Sequence, residues 1–151
     1  MKTILLTLLT LLTLSCTKSE QPILLQPPHA VTPILVGKGT LFHNPNSLVL
    51  NEQYSVITDN AAWTALLEKI NSWDLMIGSM GDTTVDFTTD EVIFAIEAKN
   101  SGTTVDIFEV FESSSTIYVT VLNLQKSLVS DVALPFHIVK IPKSTKPVVF
   151  N

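Results

Sequence analysis

Val92-Ile93-Phe94-Ala95-Ile96-Glu97-Ala98 and Pro135-Phe136-His137-Ile138-Val139-Lys140-Ile141 decide the fold. Both runs are short, apolar and rich in β-branched and aromatic residues, the composition of strands rather than helices. Thr104 to Phe111 and Thr116 to Leu124 lie between them and read the same way. Asn100-Ser101-Gly102 is a turn signal between the first two strands, and Ser113-Ser114-Ser115 joins the next two. Both pairs are therefore expected to be antiparallel hairpins. Pro147 to Phe150 adds a last short strand, and the prolines at 142 and 147 that bracket it point to a sheet edge.

Working back along the chain, Thr58-Asp59 opens the one convincing helix. Asp59 can cap it, and Trp63, Leu66, Leu67, Ile70 and Trp73 recur at helical spacing. Thr64, Glu68 and Asn71 lie on the opposite side. The apolar stripe is expected to pack on the sheet. The fold class is thus α+β, one helix on a mostly antiparallel β-sheet or roll. Gly37 to Asn46 combines glycines suited to a turn or bulge with the turn signal Asn44-Pro45-Asn46. No repeat of 20–50 residues is present, which excludes solenoids and propellers.

The first residues read as an address. Met1-Lys2-Thr3 is followed by the uncharged, Leu-rich run Ile4 to Leu14, shorter than the ~20 apolar residues a membrane-spanning helix needs. That is the pattern of a secretory signal. It ends in Leu12-Thr13-Leu14-Ser15-Cys16, which resembles the bacterial lipobox. Cys16 is the only cysteine, so no disulfide within the chain and no multi-thiolate metal site can form. Its expected fate is lipidation after cleavage behind Ser15. Each buried methylene contributes about 0.8 kcal/mol, so two or three acyl chains anchor a protein almost permanently. Thr17 to Pro33 holds Pro22, Pro27, Pro28 and Pro33 and reads as an extended tether, or, in its distal part, as a first edge strand. The expected organisation is a signal at 1–15, lipidated Cys16 and tether to residue 33, and one domain over 34–151. Its expected place is the bacterial cell envelope, in the outer membrane where there are two.

The 151 residues carry 46% apolar and 15% charged side chains, which excludes general disorder. Formal charge is −5, and all nine basic residues are lysine. An acidic chain without arginine lacks the basic footprint and the planar fork that nucleic-acid binding uses.

Chemistry is sought with little return. Gly37-Lys38-Gly39 lacks the spacing of a phosphate loop. Gly78-Ser79-Met80-Gly81 is not a nucleophile elbow and reads as a loop after the helix. His29, His43 and His137 form no metal-ligand spacing, and His137 reads as a paired strand histidine. The acids at 82, 86, 90 and 91 are spaced wrongly for an EF-hand loop. Asp86-Phe87 reads as a turn-capping carboxylate beside a buried Phe, and Thr89-Asp90-Glu91 as the solvated start of a strand. No catalytic residue, metal or cofactor is expected.

The order of these pieces resembles a known family. A Trp-containing helix is followed by Val85-Asp86-Phe87, then Glu91-Val92-Ile93-Phe94-Ala95-Ile96, a Gly turn, and Thr104-Val105-Asp106-Ile107. The chain closes on Pro135-Phe136-His137-Ile138-Val139-Lys140-Ile141-Pro142-Lys143. This resembles the C-terminal domain of the protease complex subunit PrcB family, from about residue 55 onward. The family often carries a Thr-Gly-Gly-Tyr-like turn where this chain has Asn100-Ser101-Gly102-Thr103, so only Gly102 carries over. The resemblance implies a secreted or lipid-anchored, non-catalytic partner that stabilises an exported serine protease. The expected contacts are the turns Lys99, Asn100, Ser101, Gly102, Thr103 and Ser113, Ser114, Ser115. The alternatives are a protease-inhibitor-like module presenting the first turn, and an enzyme or small-ligand binder with a pocket beside the helix.

Overall fold

A computed structural model describes residues 27–97, 99–100, 104–124 and 132–151. In chain order the elements are β1 (His29–Val31), β2 (Ile34–Phe42), β3 (Gln53–Ile57), α1 (Asn60–Asn71), β4 (Asp74–Met80), β5 (Asp90–Ile96), β6 (Lys99–Asn100), β7 (Thr104–Glu112), β8 (Ile117–Leu124), β9 (Val132–Pro142) and β10 (Val148–Phe150). Two mostly antiparallel sheets form, where one sheet or roll was expected. The larger runs β3-β5-β9-β2-β4, with β6 also pairing β9; the smaller runs β1-β7-β8-β10. Among the described residues only β10 on β8 is parallel.

The larger sheet is buried on both faces. Val92, Phe94, Ile96, Leu134, Phe136 and Ile138 join Trp63, Leu66 and Ile70 of α1 in one core. Ile93, Ala95, Val139 and Ile141 point the other way, into a second core with Val105, Ile107, Val110, Ile117 and Val119 of the smaller sheet. The order of layers is therefore helix, six-stranded sheet, four-stranded sheet. This explains why Val92 to Ile96 of β5 is continuously apolar and β9 is interrupted only by His137 and Lys140, since a strand covered on both faces has no wet face to alternate with.

The same fact corrects one expected hairpin. β5 pairs with β3 and β9, not with β7, which lies in the other sheet. The chain leaves β5 and pairs again with β9 at Lys99 and Asn100 before crossing between sheets. The β7–β8 hairpin forms as expected, and β10 is an edge strand. The distal part of the Pro-rich segment supplies β1, an edge strand on β7. Ile34 to Phe42 is interior, between β9 and β4. Pro135 is tolerated within the central strand β9 for a geometric reason. Its carbonyl accepts the Glu97 N–H at 3.1 Å, so its missing N–H faces the same side, where pairing passes from β5 to β6.

The helix is as expected. Asp59 has extended backbone angles and its carboxylate accepts the Ala62 N–H at 2.9 Å. Gly78-Ser79-Met80, expected as a loop, belongs to β4 instead. Gly78 sits at φ 103°, and a Cβ there would meet the Lys38 carbonyl oxygen at 2.0 Å. Glycine lets β4 close on β2 at this point.

Candidate functional site

The expected contact residues fall out unevenly. Cys16 and Ser101, Gly102 and Thr103 lie outside the described residues. Lys99 and Asn100 are not a projecting turn: their backbones are laddered to Ala133 and Val132. A two-residue continuation of the β5 side of the sheet uses up hydrogen-bonding groups that a free turn would offer.

Ser113-Ser114-Ser115 is the tight turn between β7 and β8. The Ser113 hydroxyl accepts the Thr116 N–H at 3.0 Å and donates to the Thr116 carbonyl at 2.9 Å. Lys146 donates to the Ser113 carbonyl at 2.8 Å and to the Glu112 carboxylate at 2.6 Å, while His29 Nε2 lies 3.3 Å from the other Glu112 oxygen. The Lys146 hydrogen bond holds the Glu112 carboxyl below the usual carboxylate range. Two other segments, at Lys146 and at His29, thus brace this turn, and Ser114 and Ser115 remain exposed at its tip.

The outer face of the smaller sheet carries an apolar row. Register aligns Ala30 with Phe111, Phe111 with Tyr118, and Tyr118 with Val149, one residue from each of the four strands. Directly opposed residues share a face. Tyr118 is 40% exposed and Val149 41%. Phe108 is 68% exposed where the β7–β8 ladder slips between Ile107 and Glu109. A sheet face left to water ordinarily alternates apolar-in and polar-out. This face departs from that pattern beside the serine turn.

A polar cluster sits at the opposite end of β7. Ser79, Lys38 and His137 are register partners across β4, β2 and β9, and face the smaller sheet. β1 covers β7 only at Val110–Glu112, so the Thr104–Ile107 end of that edge is open. Through it the Asp106 carboxylate reaches Lys38 Nζ at 2.6 Å and His137 Nδ1 at 3.0 Å. The Ile107 N–H also donates to His137 Nδ1, at 2.8 Å. With the Ile107 N–H donating to it, Nδ1 is unprotonated and the neutral ring carries its proton on Nε2; Asp106 Oδ1 then takes its hydrogen bond from Lys38 Nζ and lies beside Nδ1 without bonding to it. Burial pushes the His137 pKa down, against the pull of Asp106 and with the push of Lys38. A cleft of about 260 Å³ opens beside Lys38, Ser79 and Thr104. Lys38 is tied to Asp106 by that hydrogen bond. The arrangement ties the two sheets together.

Glu91 was expected at a solvated strand start. It is 2% exposed, faces the core between the sheets, and its Oε1 has no hydrogen-bond partner among the described residues. Burial raises its pKa, and the Ser144 backbone N–H and the neighbouring Lys143 only partly offset this. Glu97 is buried as well and is bonded by the Tyr54 hydroxyl. Asp86 behaves as expected, accepting from the Thr88 N–H and hydroxyl beside buried Phe87.

Both tryptophans are structural. Trp63 Nε1 donates to the Thr83 carbonyl at 2.9 Å, and Trp73 Nε1 to the Leu48 carbonyl at 2.8 Å, with His43 edge-on at 5.3 Å. The cleft beside the helix is small, about 170 Å³, and lies against β3 rather than the tryptophans. Among the described residues, no three His, Cys, Asp or Glu converge as a metal site, and no helix is long and apolar enough to cross a membrane. No family model matches the chain, and no significant likeness is found to a curated protein or a solved structure.

Proposed function

We propose that this chain is an envelope-anchored, non-catalytic protein-binding module whose partner is an exported peptidase. The observation that carries the reading is the apolar row Ala30, Phe111, Tyr118 and Val149 with Phe108 beside it, on a rigid sheet with a braced serine turn at its end. Aromatic residues exposed together on a stiff surface are the composition of an interface centre. The class is read as α+β on the ground that the one helix among the described residues is segregated to one face of the larger sheet. The lipidated Cys16 and the extended segment after it would hold this face near a membrane. The resemblance to the PrcB family supplies the peptidase as partner.

The test is co-purification from detergent-solubilised envelope with the full chain as bait. A peptidase should be recovered with the wild type, be lost with Phe108→Ser/Tyr118→Lys, and have a shortened lifetime in cells lacking the chain. Equal recovery with the double variant, or measurable hydrolysis by the purified chain, would overturn the reading.

A further inference from the structure

The space between the sheets is filled by apolar side chains, but a cleft of about 260 Å³ remains at the Thr104 end of β7, which β1 leaves uncovered. One wall is the face of the larger sheet that carries Lys38, Thr40 and Ser79, and Thr104 and Val105 form the other. Lys38 and Thr40 are alternate residues of β2, and Ser79 is the register partner of Lys38 on β4, so the three polar groups share one face. Gly39 and Gly78 stand opposite each other beside them and add only backbone. This wall is polar at three points and bare between them.

Two of these points are unused by the protein. Thr40 is 6% exposed, yet among the described residues neither its hydroxyl nor that of Ser79 makes a hydrogen bond. A buried hydroxyl is ordinarily paired, because leaving it alone forfeits the bond it makes to water in the unfolded chain. The third point has capacity to spare. Lys38 donates one hydrogen bond, to Asp106 at 2.6 Å, and an ammonium has three protons to give. The larger cleft beside β1, about 440 Å³, differs in that its charged lining is engaged already, Glu112 with both Lys146 and His29.

Charge and size narrow what fills the cleft. Lys38 is the one charged side chain lining it, and the ion pair with Asp106 cancels its formal charge. The whole chain carries −5, so an anion gains no net attraction here, and a cation would meet the ammonium. Hydroxyls both donate and accept, which suits an uncharged ligand that does both. At 260 Å³ the cleft falls below the roughly 300–1,000 Å³ of pockets for drug-sized ligands, so the occupant is small. We propose that this cleft binds a small uncharged polyol, of the size of one sugar ring. Its hydroxyls meet Thr40, Ser79 and Lys38, and its C–H face lies on the glycine backbone and Val105. Asp106 acts as a positioning residue that fixes the Lys38 ammonium at the cleft. A free sugar and the last residue of a glycan share this chemistry. The site goes beyond the protein-binding reading and uses neither the aromatic row nor the serine turn.

The test is calorimetric titration of the full chain, held in a detergent without a sugar headgroup. The probes are glucose, galactose and N-acetylglucosamine, with glucuronate and glucosamine as charged counterparts. At least one neutral sugar should bind with a dissociation constant of roughly millimolar or below, and the charged counterparts at least tenfold more weakly. Thr40→Val and Ser79→Ala should each weaken binding about tenfold, the loss of one hydrogen bond. Thr40→Val should keep the thermal midpoint of the wild type, since the hydroxyl it removes holds nothing within the protein; a purely structural role would lower it. The trisaccharide of the bound sugar separates the sources: tighter binding than the single sugar supports a glycan end, and weaker binding a free sugar. Phe108→Ser/Tyr118→Lys should bind the sugar as the wild type does, and Thr40→Val should still recover the peptidase, so the two readings fail separately. No binding of any neutral sugar, equal binding of the charged counterparts, or variants that bind as tightly as wild type would overturn the proposal.

Discussion

His137 shows how one side chain can tie layers together. Its Nδ1 accepts a backbone N–H from the other sheet, so it must remain unprotonated to keep that bond. An unfolded histidine takes up a proton near pH 6.5, at about its ordinary pKa, whereas burial holds the folded ring below that. Below pH 6.5 the unfolded state therefore binds more protons than the folded one. Stability contributed by the neutral ring is full above that pH and is lost as pH falls through the folded value. His137→Gln should cost roughly 1–3 kcal/mol at pH 7.5, as for a buried hydrogen-bonding group. The gap between wild type and variant should narrow at pH 5.5. Denaturant titrations of both proteins at the two pH values measure it; an unchanged gap would show that the ring's protonation does not bear on stability. Comparing wild type with variant cancels the opposite trend of Glu91. With its pKa raised, that residue contributes stability at low pH that is lost as pH rises above about 4.5.

Helix α1 was legible because its signals are local. Asp59 lies next to the turn it caps, and the stripe of Trp63, Leu66 and Ile70 repeats with the helical period. Leu66→Ala should cost about 2–5 kcal/mol, because the side chain is buried between helix and sheet. Glu68→Ala, on the wet face, should stay within about 0.5 kcal/mol. Equal costs in chemical denaturation would contradict this packing. Strands β5, β7, β8 and β9 were legible as strands for the same reason of composition. The partner of β5 was not. Val92 to Ile96 and Thr104 to Ile107 are separated by a turn signal, and nothing local distinguishes a hairpin from a crossing between sheets. The signal that was available is the difference in pattern: β5 is apolar at every position from Val92 to Ile96, whereas β7 mixes buried and exposed residues. β4 was missed because Asp74 to Met80, with Gly78 inside it, has a single β-branched residue.

At the scale of the whole molecule, the proposed lipid anchor at Cys16 is the first thing to test. Cys16→Ser removes the only thiol, so the variant should leave the detergent phase for the aqueous phase on phase separation. Detergent partitioning equal to wild type would defeat the anchor. The helix, strands β5, β7, β8, β9 and β10 and the β7–β8 hairpin were readable from the chain alone, because each depends on residues close to one another along the chain. The layer order was decided only by tertiary structure. So were the burial of Glu91, the Lys38–Asp106–His137 cluster, the aromatic row and the cleft between the sheets. In the cluster, Lys38 and Asp106 are 68 residues apart. Strand alternation alone would turn Asp106 away from the core that Val105 and Ile107 enter. It reaches the other sheet because β1 leaves that end of β7 uncovered. The row and the cleft likewise depend on which strands lie side by side. Side-chain chemistry acts over a few ångströms of space, and sequence records neighbours only along the chain.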